Sequence, residues 1–225
     1  MDGRRWVVLD VGETLIDETR FWSAWADELG VPRLTFLATL GAVLERGLDH
    51  RDVFALFGAD DWRQRVPEVE ARHGGFQRDD LYPDGPRCIA GLRSAGLGVA
   101  IIANQPSVRD AQLRSLGIDV DVMAMSEAMG VAKPDPAFFR RTLELLGGPA
   151  ADQVAFVGDR VDNDVRPAAQ AGMRAVWLRR GPWARIQAPP PPGMAVLTVD
   201  SLDELVERQA ELWEAPGSGR PSTLR

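Results

Sequence analysis

The sequence predicts an α/β fold, a doubly wound parallel-sheet core carrying a smaller, all-helical insertion. Three observations predict it. Short apolar runs recur as near-continuous blocks rather than alternating ones, the pattern of strands covered on both faces. Amphipathic helical stretches, most of them ending at a glycine, stand between those runs. A long block after the first run is helical throughout and holds no strand pattern.

The first strand is expected at residues 6–10 (WVVLD). The block that follows (18–80) contains FWSAWADELG, LTFLATLGAVLERG and DVFALFGADDWRQRVPEVEARHGG, all at helical spacing. Its aromatic residues Phe21, Trp22, Trp25, Phe36, Phe54, Phe57 and Trp62 read mainly as a small core of its own. A helix over 86–95 carries Ile89 and Leu92 and ends at Gly96, and a strand follows at 98–103 (GVAIIA). The helix expected over 107–116 ends at Gly117, and a further strand lies near 120–125. Asp135 is a natural N-cap for a helix over 136–146 that stops at Gly147. Strands at 154–158 (VAFVG) and 174–178 (RAVWL) flank a helix over 163–171, which stops at Gly172. Four consecutive prolines, Pro189 to Pro192, predict an extended surface loop. A short strand near 195–199 and a helix from Ser201 complete the core. The expected division is therefore a core of 1–17 and 81–210, a helical subdomain of 18–80, and a flexible tail of 211–225.

Composition narrows the partners. With 225 residues, 45% hydrophobic and 26% charged, the chain can bury a sizeable core. The formal net charge of −7 argues against nucleic-acid and anionic-membrane partners. Cys88 is the single cysteine, so no intrachain disulfide forms and a reducing compartment is expected. No apolar run approaches the roughly 20 residues of a membrane span, and a cytoplasmic protein is expected. His50 and His73 read as isolated surface positions.

In an open parallel sheet, ligands bind beyond the carboxyl ends of the strands. Those ends deliver Asp10, Asn104, Asp159 and, shortly after, Asp164, while Lys133 opens a helix in GVAKPDPAFF. Carboxylates brought so close repel unless a cation sits among them, and an oxygen-rich cluster suits Mg²⁺. Asp162, beside a helix start, reads as a cap.

These segments together resemble the haloacid dehalogenase superfamily. LDVGETLID resembles its first motif, IIANQ stands in the place of the second, GVAKPDPAFF resembles the third and VGDRVDNDVRPAAQAGM the fourth, in order across residues 6 to 178. The resemblance implies a Rossmann-like core with the helical block as its cap, and an Mg²⁺-dependent hydrolase acting on a small phosphorylated substrate. It implies that Asp10 is the nucleophile and that Mg²⁺ is held by Asp10, the Gly12 carbonyl, Asp159 and Asp164. Lys133 would neutralise the carboxylates and orient Asp10. The backbone of Ala103 and Asn104, with the Asn104 amide, would face the phosphoryl oxygens. Glu13, Trp22 and Trp25 are candidate substrate contacts, and the chain is expected as a monomer or homodimer.

Two positions depart from the pattern. The family's phosphatases usually carry an aspartate as general acid two residues after the nucleophile, and this chain has Gly12. A hydroxyl residue is usual where this chain has Ala103. Three readings follow: Glu13 supplies the proton, the substrate has a good leaving group, or the protein binds a phosphorylated ligand or partner with little turnover. Dehalogenase-type chemistry is a minor alternative.

Overall fold

A computed structural model describes residues 3–214, and in it the continuous apolar runs are strands. β1 (Trp6–Leu9), β2 (Gly98–Ala103), β3 (Val122–Met125), β4 (Val154–Gly158), β5 (Arg174–Leu178) and β6 (Leu197–Val199) form one sheet. Its order is β3-β2-β1-β4-β5-β6, and every pairing is parallel. This is the doubly wound, Rossmann-like α/β architecture that the runs predict. β1 lies at the centre, with Leu9 in register with Ile101 on one side and Val157 on the other.

Between β1 and the helix that leads into β2 stand α1 (Thr19–Glu28), α2 (Arg33–Glu45), α3 (Asp52–Leu56) and α4 (Val66–His73). The remaining helices alternate with the strands: α5 (Asp84–Ser94), α6 (Val108–Ser115), α7 (Ser126–Met129), α8 (Pro136–Leu145), α9 (Arg166–Gln170), α10 (Gly181–Ile186) and α11 (Leu202–Glu207). Asp135 caps α8 by accepting from Ala137 N–H at 2.8 Å. Ser201 does the same for α11 from Glu204 N–H at 3.1 Å.

Alternate residues of each strand serve opposite faces of the sheet. Val7, Leu9, Val99, Ile101 and Val157 pack with Ile89 and Leu92 of α5, Leu113 of α6 and Leu202 and Leu205 of α11. Val8, Ala100, Ile102 and Phe156 pack with Phe138 and Phe139 of α8 and Ala168 of α9. Both layers are fully buried at the central strands, where each large side chain contributes about 1.5–3 kcal/mol. That burial fixes the strand ends, and with them the site. Residues 211–214, expected in a flexible tail, instead continue the core: a turn at Gln209–Trp213 buries Leu212 against the α5 face. Its apolar side chain is the reason. Residues 215–225 lie outside the described residues.

A third cluster gathers Trp22 and Trp25 of α1, Phe36, Leu40 and Val43 of α2, Val53 and Phe54 of α3 and Val69 of α4. Trp183 of α10 joins it, so the inserted helices lean on the segment after β5. The chain leaves the sheet and returns side by side: Asp17 N–H donates to Asp80 O at 2.8 Å and Tyr82 N–H to Leu15 O at 2.9 Å. Arg20 clasps this crossing by binding Asp80 and the carbonyls of His73 and Gly75. Arg109 of α6, 2% exposed, reaches both oxygens of Glu70 on α4 at 2.8 Å and stacks on Phe76.

His73 is not a surface residue but 3% exposed, and His50 is half-buried between Trp22 and Trp183. Their apolar neighbours lie far away in sequence, which is why isolation along the chain misled. Burial first, with nearby arginine charge, holds both imidazoles down at about 4. A histidine whose folded value is depressed stabilises above its unfolded value, about 6.5, and loses that contribution as pH falls toward the folded one. In urea unfolding, a His50→Gln, His73→Gln variant is therefore expected to gain stability relative to the wild type as pH falls from 6.5 to 4.

Candidate active site

The ladder of β1 runs one residue past the strand, where Asp10 N–H donates to Val157 O at 3.0 Å. This aims the Asp10 carboxyl out of the carboxyl edge, beside Asp159 at the end of β4. Gly158 is needed there, because a Cβ at that position would collide with the Asp164 carboxyl. Asp164 sits in a π-helical turn, Val161–Val165, of the kind often found at functional sites. Its Oδ2 accepts from Arg160 N–H at 3.0 Å.

Carboxylate oxygens of Asp10, Asp159 and Asp164 lie within 4.8 Å of one another. Lys133 enters from the loop before α8 and lies 2.7 Å from Asp10 and 2.5 Å from Asp164. The four groups are only 7%, 2%, 0% and 5% exposed, in the order Asp10, Asp159, Asp164, Lys133. Burial, then the charges of Asp164 and Asp10, pushes Asp159 well above the usual carboxylate range. Burial also raises Asp164 to about 6, with Lys133 pulling it down and Asp10 pushing it up. Burial works against the Lys133 ammonium, yet the two carboxylates on it hold it above the ordinary lysine range. Asp159 Oδ2 is buried without a hydrogen-bond partner.

The Asn104 side chain borders the cleft. It closes a reciprocal pair with the Lys133 backbone, its Nδ2 donating to Lys133 O at 2.9 Å and its Oδ1 accepting from Lys133 N–H at 2.8 Å. Asn104 thus holds the loop that presents the lysine. Ala103 is fully buried in β2 and offers no hydroxyl.

Glu13 has a left-handed backbone, φ 51°, and a buried side chain already engaged at both oxygens. One accepts from Glu18 N–H at 3.0 Å and the other from the Tyr82 hydroxyl at 2.9 Å. Burial leads in raising its carboxyl above the usual range. Asp162 caps nothing; its carboxylate is held by Arg160 at 2.7 Å and Gln187 at 2.7 Å.

The cluster forms the floor of a cleft of about 820 Å³ beneath the inserted helices. Trp22 and Trp25 line it while also packing in the helical cluster, so core and wall are one set of side chains. Glu18, Gln105 and Arg109 are among the cleft residues that escaped the sequence reading. Gln105 follows directly on Asn104 and was within reach of motif reasoning; Arg109 and Glu18 were not, because only the fold brings them there. Burial, then the charges of Glu13 and Asp10, pushes the Glu18 carboxyl up to about 7.

Fold and site together define an α/β protein with an acidic centre at the carboxyl edge of a Rossmann-like sheet. The chain belongs to the haloacid dehalogenase-like hydrolases, whose family model matches residues 5–172. It is 30% identical over 184 residues to a phosphoserine phosphatase of Thermus thermophilus, covering 75% of this chain and 72% of the relative. It is 31% identical over 129 residues to a glyceraldehyde 3-phosphate phosphatase of Methanocaldococcus jannaschii, covering 56% of this chain and 55% of that one. Among solved structures, the magnesium-bound putative hydrolase YfnB of Bacillus subtilis superposes with a TM-score of 0.68 at 17% identity, covering 91% of this chain and 97% of the other. A dehalogenase trapped with an intermediate superposes at 0.66 with 21% identity, covering 91% and 96%. These structures share the fold alone. Among the described residues no helix is long and apolar enough to cross a membrane.

Proposed function

We propose that this chain is an Mg²⁺-dependent phosphatase whose Asp10 attacks the phosphorus of a small phosphorylated metabolite. The buried cluster carries the reading. Three carboxylates against one ammonium leave two negative charges uncompensated when all are ionised, and Asp159 Oδ2 lacks a partner. Both features fit a divalent ion that prefers oxygen. Asp10, Asp159 and Asp164, with the Gly12 carbonyl, are the groups that would hold Mg²⁺, and a bound Mg²⁺ would supply charge neutralisation at the phosphoryl oxygens.

In this reading an Asp10 oxygen forms the bond to phosphorus as the bond to the leaving oxygen breaks, and water later cleaves the aspartyl-phosphate. Lys133, 2.7 Å away, pairs with Asp10 and fixes its direction. Asn104 keeps Lys133 in place, and the backbone of Ala103 and Asn104 borders the phosphoryl group. Trp22 and Trp25 offer an apolar wall to the body of the substrate. Gly12 brings no proton, so substrates with good leaving groups are served even without an acid. The similarity to phosphatases acting on small phosphorylated compounds supports the substrate class.

The test is a phosphate-release screen over small phosphate esters and anhydrides in Mg²⁺ and in EDTA. Release is expected only with Mg²⁺, recovering when the ion is restored. Turnover that is indifferent to chelation would refute the reading.

A further inference from the structure

The place left empty by the missing side chain of Gly12 is already filled. A Cβ built on Gly12 would fall 2.5 Å from Glu18 Oε1 and 2.8 Å from the Glu18 carboxyl carbon. The loop after Asp10 brings Glu18 there by folding back on itself. Leu15 and Ile16 N–H both donate to Val11 O, at 2.8 and 2.9 Å, and Glu13 N–H donates to Ile16 O at 2.7 Å. The chain then turns into α1 with Glu18 at its N-cap, eight residues after Asp10 but back beside Gly12.

We infer that Glu18 is the proton-transferring residue of this active site, doing from the start of α1 what position 12 cannot do. The inference rests on Asp10 being the nucleophile of a phosphatase. Two neighbours hold the carboxyl in place. Gln105 Nε2 lies 3.4 Å from Oε1, and the Glu18 N–H is tied to Glu13 at 3.0 Å. Both Glu13 oxygens are committed to the Glu18 N–H and the Tyr82 hydroxyl, so Glu13 braces the acid and does not act as one. Glu18 opens into the same cleft as Asp10, Asp159 and Lys133.

In the first step Asp10 bonds to phosphorus, the bond from phosphorus to the ester oxygen breaks, and that oxygen takes the proton of the Glu18 carboxyl, leaving as an alcohol. In the second, the Glu18 carboxylate takes a proton from the water that attacks the aspartyl-phosphate. Phosphate leaves, and both Asp10 and the Glu18 carboxyl return to their starting states. The net change is ester plus water to alcohol plus phosphate. Gly12 therefore does not restrict the enzyme to good leaving groups, and alkyl phosphate monoesters fall within its reach.

The test compares short alkyl phosphates, glycerol 2-phosphate among them, with 4-nitrophenyl phosphate, whose leaving group needs little protonation. General acid catalysis contributes about 10²- to 10⁴-fold. Glu18→Gln is expected to lower kcat/KM, which reports phosphorylation of Asp10 and not the later hydrolysis common to both substrates, at least about 100-fold more on the alkyl esters than on the aryl ester. Because Gly12→Asp and Glu18 compete for one space, the double variant Gly12→Asp, Glu18→Gly is expected to regain most of the alkyl activity. An equal fall in kcat/KM on both substrates, no fall on the alkyl esters, or a wild type that cleaves only the aryl ester overturns the assignment. Aryl phosphate hydrolysis that survives Asp10→Asn would instead overturn the reading of the site on which it rests.

Discussion

Asp10→Asn is expected to abolish phosphate release while making the metal-free protein more stable. Removing a nucleophile that works as a unit with its neighbours costs about 10⁴-fold or more in kcat. An amide in the same volume can neither attack phosphorus at a useful rate nor serve a cation as a carboxylate does. Stability moves the other way because Asp10 belongs to a cluster carrying more negative than positive charge. Asparagine removes one of three carboxylates, and Lys133 keeps Asp164 at 2.5 Å. Groups held in strained electrostatic positions for function commonly behave so. The paired measurement is kcat on 4-nitrophenyl phosphate with Mg²⁺ and the melting temperature in EDTA. A variant that lost activity by unfolding would lose both, and one that kept activity would remove Asp10 from the chemistry.

Much of this architecture was legible because one physical rule runs from sequence to fold. Strands covered on both faces must be apolar at successive positions, so WVVLD, GVAIIA, VAFVG and RAVWL stand out. Once the sheet is parallel, the residue after each run lies on the binding edge, and Asp10 and Asp159 follow. Lys133 came from its motif, and it meets Asp10 at 2.7 Å. Other features were illegible for definite reasons. Asn104 also holds the Lys133 backbone from both sides, a contact between residues 29 apart that residue type does not encode. Glu18 reaches Gly12 only because a tight loop reverses between them, and six residues of sequence separation give no hint of contact. Trp22 and Trp25 were weighed as core against platform, and both pack in the helical cluster while also lining the cleft.

Lys133→Met is expected to be the most destabilising single change at the site, and metal should reverse part of it. The ammonium is fully buried as a side chain and, among the described residues, is the one cation paired with both Asp10 and Asp164. Methionine keeps the volume but strands the carboxylates, and leaving buried charges without their partner costs about 3–5 kcal/mol. The size should depend on pH, with a definite sign. Asp164, raised to about 6, and Asp159, also raised well above the usual carboxylate range, are carboxylates whose folded values exceed their unfolded ones. Such groups favour the folded state at low pH and lose that advantage as pH rises through the folded value. Without the lysine their values rise further, so the variant's deficit should be small near pH 5 and large near pH 8. A divalent cation replaces the missing positive charge, and by mass action 100 times its dissociation constant restores about 2.7 kcal/mol. Urea denaturation of wild type and variant at both pH values, in EDTA and in millimolar Mg²⁺, reads all of this at once. Equal deficits at pH 5 and pH 8, untouched by Mg²⁺, would mean that packing around the lysine stem, not charge, sets its importance.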